Sequence, residues 1–275
     1  MIEQLVFDKN GLKSKDLTAE NVRNVLGLPK VEMASVAVKF HKGPGGWDIA
    51  KEAKAAINPE IRKVYRVFSK EYRFVPHEQG ILDLTKAAEA NPEYGRLVWK
   101  VDGHDNFRRM HARGIFPDLD FEVKEGDVVN PQIEYFNSYD GSWSEKFIFG
   151  AYRVVCSNGL TVGEKFAMET ARHVEGQRKD FAIKLDEALH NFSIQNGIWK
   201  EWLNKEVSLA HLNQVEEMGL NKSEKAEVVD SLSEDPGMNL WLFYNIITAL
   251  ITHGIQSLNK QVRTWDHLRY QSSNW

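Results

Sequence analysis

The spacing of apolar residues divides the chain into an early mixture of helix and strand, a run of strands in the middle, and a helical last third. Leu17 to Leu26 has helical spacing, with Gly27 placed to stop it. Val31 to Phe40 alternates apolar and polar residues as a half-buried strand does. His41 to Trp47 is a glycine-rich connector, after which Asp48 caps a helix predicted to run to about Ile57, before Asn58-Pro59. Ile61 to Val75 fits either helix or strand. Ile81 to Ala90 reads as a helix stopped by Asn91-Pro92, and Arg96 to Val101 and Asp120 to Val123 suit strands.

Ile133 to Phe136 and Lys146 to Val155 are rich in Phe, Ile, Tyr and Val. They flank Tyr139-Asp140-Gly141-Ser142, whose Asp-Gly centre suits a tight hairpin needing φ > 0. Ser157-Asn158-Gly159 is expected to end the second strand in a turn. In an alternative reading, Ser157, Asn158 and the local amides bind an anion at the start of the next helix. Gly163 to Phe192 reads mostly as helix, with Phe181, Leu185, Leu189 and Phe192 on one face. Ile198 to Leu232 is helical with breaks at Gly219 and Asn221, where Asn221 and Glu224 form a capping box. Asp235-Pro236 is expected to start a last long helix reaching Leu258. Strands in succession followed by helices imply an α+β fold. The expected form is a central antiparallel β-meander with helices packed on one face and a helical C-terminal third, a single domain over residues 1–275.

Composition narrows the function classes. One cysteine, Cys156, excludes an intrachain disulfide and a thiolate zinc site. The histidines show no HxxxH or HExxH pairing, the glycine-rich loop lacks a phosphate-binding signature, and no residue set nominates a reaction, so neither metal nor cofactor is called for. The first residues lack a secretory pattern, and Leu240 to Ile251 is too short to span a bilayer. A cytoplasmic protein without a membrane partner is expected.

Charge is uneven. Residues 1–120 carry 20 Lys and Arg against 17 Asp and Glu, a net +3, and the remainder is net −7. Arg96, Lys100, Arg108, Arg109 and Arg113 lie close together, among Trp99, Phe107, His104 and His111. Cations interleaved with aromatics can neutralise phosphates and stack bases. The bland alternative is a solvated basic surface beside core aromatics, diluted by Asp102 and Asp105.

The segment NSYDGSWSEKFIFGAYRVVCSNGL resembles the "SxDGS … F … RxxCSNG" core of the DUF932 family, also called UPF0380, through Asp140, Gly141, Arg153, Cys156, Asn158 and Gly159. His173 follows at the spacing of that pattern, and Trp241, Asn245, Thr248 and His253 resemble its C-terminal "W-x-x-x-N-x-x-T … H" helix. The likeness is clearest over about residues 130–260. His173 and His253 are either core histidines or groove-lining groups with Arg153 and Arg172.

The resemblance implies a phage- or plasmid-borne protein in a bacterial host. By analogy with single-strand annealing and protective proteins of mobile elements, a nucleic-acid-associated accessory role is expected, with single-stranded DNA as candidate ligand. Arg108, Arg109 and Arg113 would then meet phosphates, with Trp99, Phe107 and Tyr139 as stacking faces. The rival is a protein-interaction module that inhibits a host defence or replication factor through the acidic stretch Glu216 to Asp235. Self-association is compatible with either.

Overall fold

The computed structural model describes residues 18–41, 46–153, 158–161, 168–171, 181–235 and 237–275. The chain forms two units, each assembled from three separated segments. Met1–Gly114, Glu134–Ile148 and Met168–Ile183 make the first, and Ile115–Ile133, Phe149–Ala167 and Lys184–Trp275 the second. The class is α+β, with antiparallel sheets and helices concentrated in the C-terminal part.

The first unit opens with α1 (Ala19–Val25), whose N-cap Thr18 accepts a hydrogen bond from the Asn21 N–H at 3.2 Å. Gly27 follows with φ +57°, a left-handed stop. Strands β1 (Glu32–His41), β2 (Trp47–Asn58) and β3 (Lys63–Ser69) then form a sheet in that order. Strand β2 corrects the helix expected from Asp48 to Ile57. Its Ala and Lys residues favour helix locally, yet pairing with β1 on one side and β3 on the other overrides that weak preference. The ambiguous stretch from Ile61 resolves as β3, with a bulge that leaves Tyr65 unmatched between Val64↔Ile57 and Arg66↔Ala56.

Helix α2 (His77–Ala90) starts at His77, four residues before the expected Ile81, with Pro76 as its N-cap, and buries Ile81, Leu82, Leu84 and Ala88. It packs on Trp99 and Tyr135 of a second sheet. Thr85 Oγ1 accepts from the Trp99 indole at 3.0 Å, and Gly80 lies against the ring of buried Tyr135. That sheet contains β4 (Val98–His104), β5 (Arg109–Ile115), β6 (Phe121–Lys124), β7 (Asp127–Ser138), β8 (Glu145–Arg153), β9 (Asn158–Thr161) and β10 (Met168–Ala171). The order is β10-β8-β7-β5-β4, with β6 also on β7 and β9 also on β8.

The β7–β8 hairpin forms as its sequence predicts. Gly141 has φ +65°, Asp140 Oδ1 accepts from the Ser142 N–H, and the Ser138 hydroxyl both donates to and accepts from Trp143 backbone. Two further expectations are corrected. Asn158 and Gly159 are strand positions opposite Arg153 and Tyr152, not the apex of a turn. Met168–Ala171 is a strand on β8 where helix was expected, because its backbone completes the free edge of Glu145–Ile148. Cys156, His173 and residues 42–45 of the glycine-rich loop lie outside the described residues.

The second unit packs α3 (Phe181–Trp202) through Phe192 on Phe121 of β6, rings 4.7 Å apart. Helices α4 (Leu209–Glu216) and α5 (Lys222–Glu234) flank Gly219, φ +69°, and the predicted Asn221–Glu224 capping box is present. The last long helix is in fact two. Helix α6 (Leu240–Ala249) is capped by Asn239 rather than Asp235, passes into a π turn at Leu250–Gly254, and is followed by α7 (Leu258–Ser272).

Gly80 tests the packing of α2. Alanine normally stabilises a helix interior over glycine by about 1 kcal/mol. Here a Cβ would sit 2.3 Å from the Tyr135 ring, so Gly80→Ala should instead destabilise by roughly 1–3 kcal/mol in denaturant titration. A raised midpoint would refute this packing.

Candidate nucleic-acid interface

Strand alternation sorts the candidate residues of the first unit onto two faces. On β4 and β5, Trp99, Val101, Met110 and Ala112 are buried on the α2 side. The intervening positions Lys100, Asp102 and His104 on β4, and Arg109, His111 and Arg113 on β5, point the other way. Lys100 and His104 are exposed, and Arg109, Arg113 and Asp102 half-buried. Glu134 and Phe136 of β7 complete this face. The His111 ring stacks on Phe136 at 4.4 Å and its Nε2 meets Glu134 Oε2 at 3.0 Å.

Trp143, from the β7–β8 hairpin, is the partly exposed aromatic here. The Arg109 guanidinium lies over its ring at 5.6 Å, Phe136 meets it edge-on at 5.9 Å, and His104 at 6.0 Å. Burial lowers the His104 pKa, and neighbouring His111 and Arg109 add to the effect against the pull of Asp102.

The structure corrects several assignments. Trp99 and Tyr139 are fully buried and offer no stacking face; the Tyr139 hydroxyl accepts from the His77 N–H at 3.1 Å. Phe107 is half-buried, its ring held against Gly103. It closes a turn in which Asp105, Asn106 and Phe107 all have φ between +51° and +58°. That turn is held by the Tyr65 hydroxyl donating to the Asn106 carbonyl at 2.8 Å and by the His77 ring on the Phe107 carbonyl at 2.9 Å. Arg108 is neutralised locally by Asp105 at 3.0 Å, with Asp140 at 3.9 Å. Arg113 pairs with Asp102 at 2.8 Å, and Arg96 is half-buried ahead of β4. Lys100 and Arg109 are therefore the cations of the original set best placed to meet a phosphate. Trp143 was missed because it sits inside a turn motif; its position one residue after the Asp-Gly-Ser apex was the available signal.

The motif residues of the second unit form a different arrangement. Arg153 Nε and Nη2 bind the two oxygens of Asp127 at 2.6 and 2.7 Å, and the Trp241 indole donates to Asp127 Oδ2 at 2.9 Å. The guanidinium also lies over the Trp241 ring at 5.7 Å. Asn245 donates to the Trp241 carbonyl at 2.7 Å, and Thr248 to the Asn245 carbonyl. Arg153, Asp127 and Trp241 are all buried, so Arg153 lines no open groove; His253 is exposed on the π turn rather than in the core. Among the described residues no group of three His, Cys, Asp or Glu is placed to hold a metal ion.

An antiparallel α+β protein with one polar, cation-bearing sheet face and a closed Arg–Asp–Trp cluster is thus defined. The chain belongs to the DUF932 family: the model described as "Domain of unknown function (DUF932)" matches residues 64–274. That span reaches well upstream of the motifs that carry the resemblance in sequence. No curated protein and no solved structure matches the chain. Among the described residues no helix is long and apolar enough to cross a membrane.

Burial pushes the Asp127 carboxyl up, but the hydrogen bonds from Arg153 and then Trp241 outweigh it and leave its pKa below the ordinary value. A carboxyl whose folded pKa is depressed stabilises the protein above its unfolded pKa, and that stability is lost as pH falls through the folded value. Asp127→Asn should cost about 3–5 kcal/mol at pH 7, because Arg153 is left buried without a counter-charge. Its stability should also fall less between pH 5 and pH 3 than that of the wild type, as followed by denaturant titration at each pH. Parallel acid profiles would rule out this role.

Proposed function

We propose that this chain is a nucleic-acid-associated accessory protein of a phage or plasmid, acting in the cytoplasm of a bacterial host and holding single-stranded DNA on the open face of β4 and β5. The observation that carries the reading is Trp143, partly exposed and capped by the Arg109 guanidinium, with Lys100 exposed on the same sheet face. An accessible indole stacks on any base, and adjacent cations neutralise the backbone, a combination suited to sequence-independent single strands. The mechanism is non-covalent positioning without bond cleavage, in line with an annealing or protective role.

The face is modest in charge: Lys100, Arg109 and Arg113 stand against Asp102 and Glu134. The expected footprint is accordingly about two neutralised phosphates per chain, and useful affinity then calls for several copies along one strand. The rival reading, inhibition of a host protein through the acidic stretch at Glu216 to Asp235, has less support. There Glu216 is engaged by Lys225, Glu224 by Lys260 and Glu217 by Gln271.

Fluorescence anisotropy of a labelled oligothymidylate across a salt series tests the reading. Affinity should fall with a log–log slope of about 1.4, and Lys100→Ala with Arg109→Ala should remove most of that slope while leaving folding intact. Trp143→Leu should weaken binding by about 1–3 kcal/mol with the slope unchanged. Absence of salt-sensitive binding by the wild type at micromolar concentration would defeat the proposal and favour the protein-partner reading.

A further inference from the structure

On the open face of β4 and β5 the carboxylates are matched, whereas three basic groups are not. Asp102 holds Arg113 at 2.8 Å, and Glu134 of β7 holds the His111 ring at 3.0 Å. Asp105, in the turn after β4, is held by Lys63 at 3.3 Å and Arg108 at 3.0 Å. From the β7–β8 hairpin, Asp140 lies 3.9 Å from the same Arg108. Lys100, His104 and Arg109 have no carboxylate at ion-pair distance among the described residues.

His104 differs from the other two because its charge depends on pH. Its ring lies 6.0 Å from the ring of Trp143, and the Arg109 guanidinium lies over the same indole at 5.6 Å. Two basic side chains thus converge on Trp143, and a nucleotide stacked there would place its phosphodiester beside them. His111 is not a rival for that contact. Its Nε2 is committed to Glu134, and its ring to Phe136 at 4.4 Å. In the free protein the surroundings of His104 disfavour a proton. Burial acts first, His111 and Arg109 add to it, and Asp102 opposes them. A phosphate beside the ring adds a negative charge and shifts that balance toward the imidazolium.

We infer that His104 is a phosphate-binding residue of the proposed nucleic-acid face, taking up a proton from solvent as single-stranded DNA binds, so that the strand is held more tightly as pH falls. The inference rests on the single-strand reading and adds to it a third phosphate contact and a dependence on pH. The imidazolium N–H donates to a phosphate oxygen, beside the contacts of Lys100 and Arg109. The sign follows from linkage. The bound state holds more protons than the free state, so affinity rises as pH falls through the histidine range.

The test is fluorescence anisotropy of a labelled oligothymidylate at about pH 5.5, 6.5 and 7.5, a window that brackets histidine and in which neither thymine nor a phosphodiester titrates. Wild-type affinity should rise by about tenfold across that window. The salt slope should rise with it, from about 1.4 to about 2.1, as a third phosphate is neutralised. His104→Gln should abolish both changes, and His104→Lys should show the steeper slope already at the highest pH. In nuclear magnetic resonance of the wild type, the His104 ring should titrate at higher pH with oligothymidylate than without it. That titration uses no variant and decides the matter even where a variant misfolds. Equal pH dependence in wild type and His104→Gln, or a ring titration that the oligonucleotide does not move, would overturn the inference and leave the single-strand reading standing. Absence of binding at all three pH values would overturn both.

Discussion

Helix α2 can lie close to its sheet because residue 80 has no side chain, and the arrangement of the first unit depends on that approach. Tyr135 occupies the space that a Cβ at position 80 would need. The indole of Trp99 reaches Thr85 one turn further along the helix. With that side filled, the apolar members of β4 and β5 are committed inward, and strand alternation leaves Lys100, His104 and Arg109 no position but the opposite face. A one-residue slip of register would place arginine against α2 and Trp99 in water. The packing that stabilises the unit is thus also what presents the polar face.

The second unit is organised around a buried charge. Asp127 accepts hydrogen bonds from both sides of the Arg153 fork and from Trp241, so each of its oxygens is satisfied. Burying an ion pair gains little over an apolar core, whereas losing one partner is costly. The cluster is therefore best understood as fixing which side of β7 meets α6. Arg153 and Trp241 belong to the motifs that carry the family resemblance, and both are occupied in this structural task.

Much of the fold was legible in the sequence because local chemistry and tertiary demand agree there. Asp140-Gly141 has the backbone freedom its turn requires, Asn221 and Glu224 cap α5, and the alternation of Val31 to Phe40 marks β1. Strand β2 was not legible: Ala-Lys-Glu-Ala-Lys reads as helix, and only its two strand neighbours decide otherwise. Strand β5 is obscured by its charges: Arg109, His111 and Arg113 read as a basic cluster, although their spacing of two is a strand pattern. The candidate site was half legible. The sequence brings Lys100 and Arg109 into one short stretch, but composition does not say which of the neighbouring aromatics turn inward. Trp99 and Tyr139 are core, whereas Phe107 and Trp143 are left partly open, Phe107 in its turn and Trp143 beside the cations.

The central claim is that Trp143, and not the buried aromatics near it, meets a nucleotide base. Ultraviolet cross-linking of the full chain to an oligothymidylate carrying one 5-iodouracil, followed by mass spectrometry of the adduct, tests this directly. The account predicts an adduct at Trp143, suppressed by Lys100→Ala with Arg109→Ala and absent at Trp99 and Tyr139. An adduct confined to the second unit, or none at concentrations where the oligonucleotide binds, would contradict it.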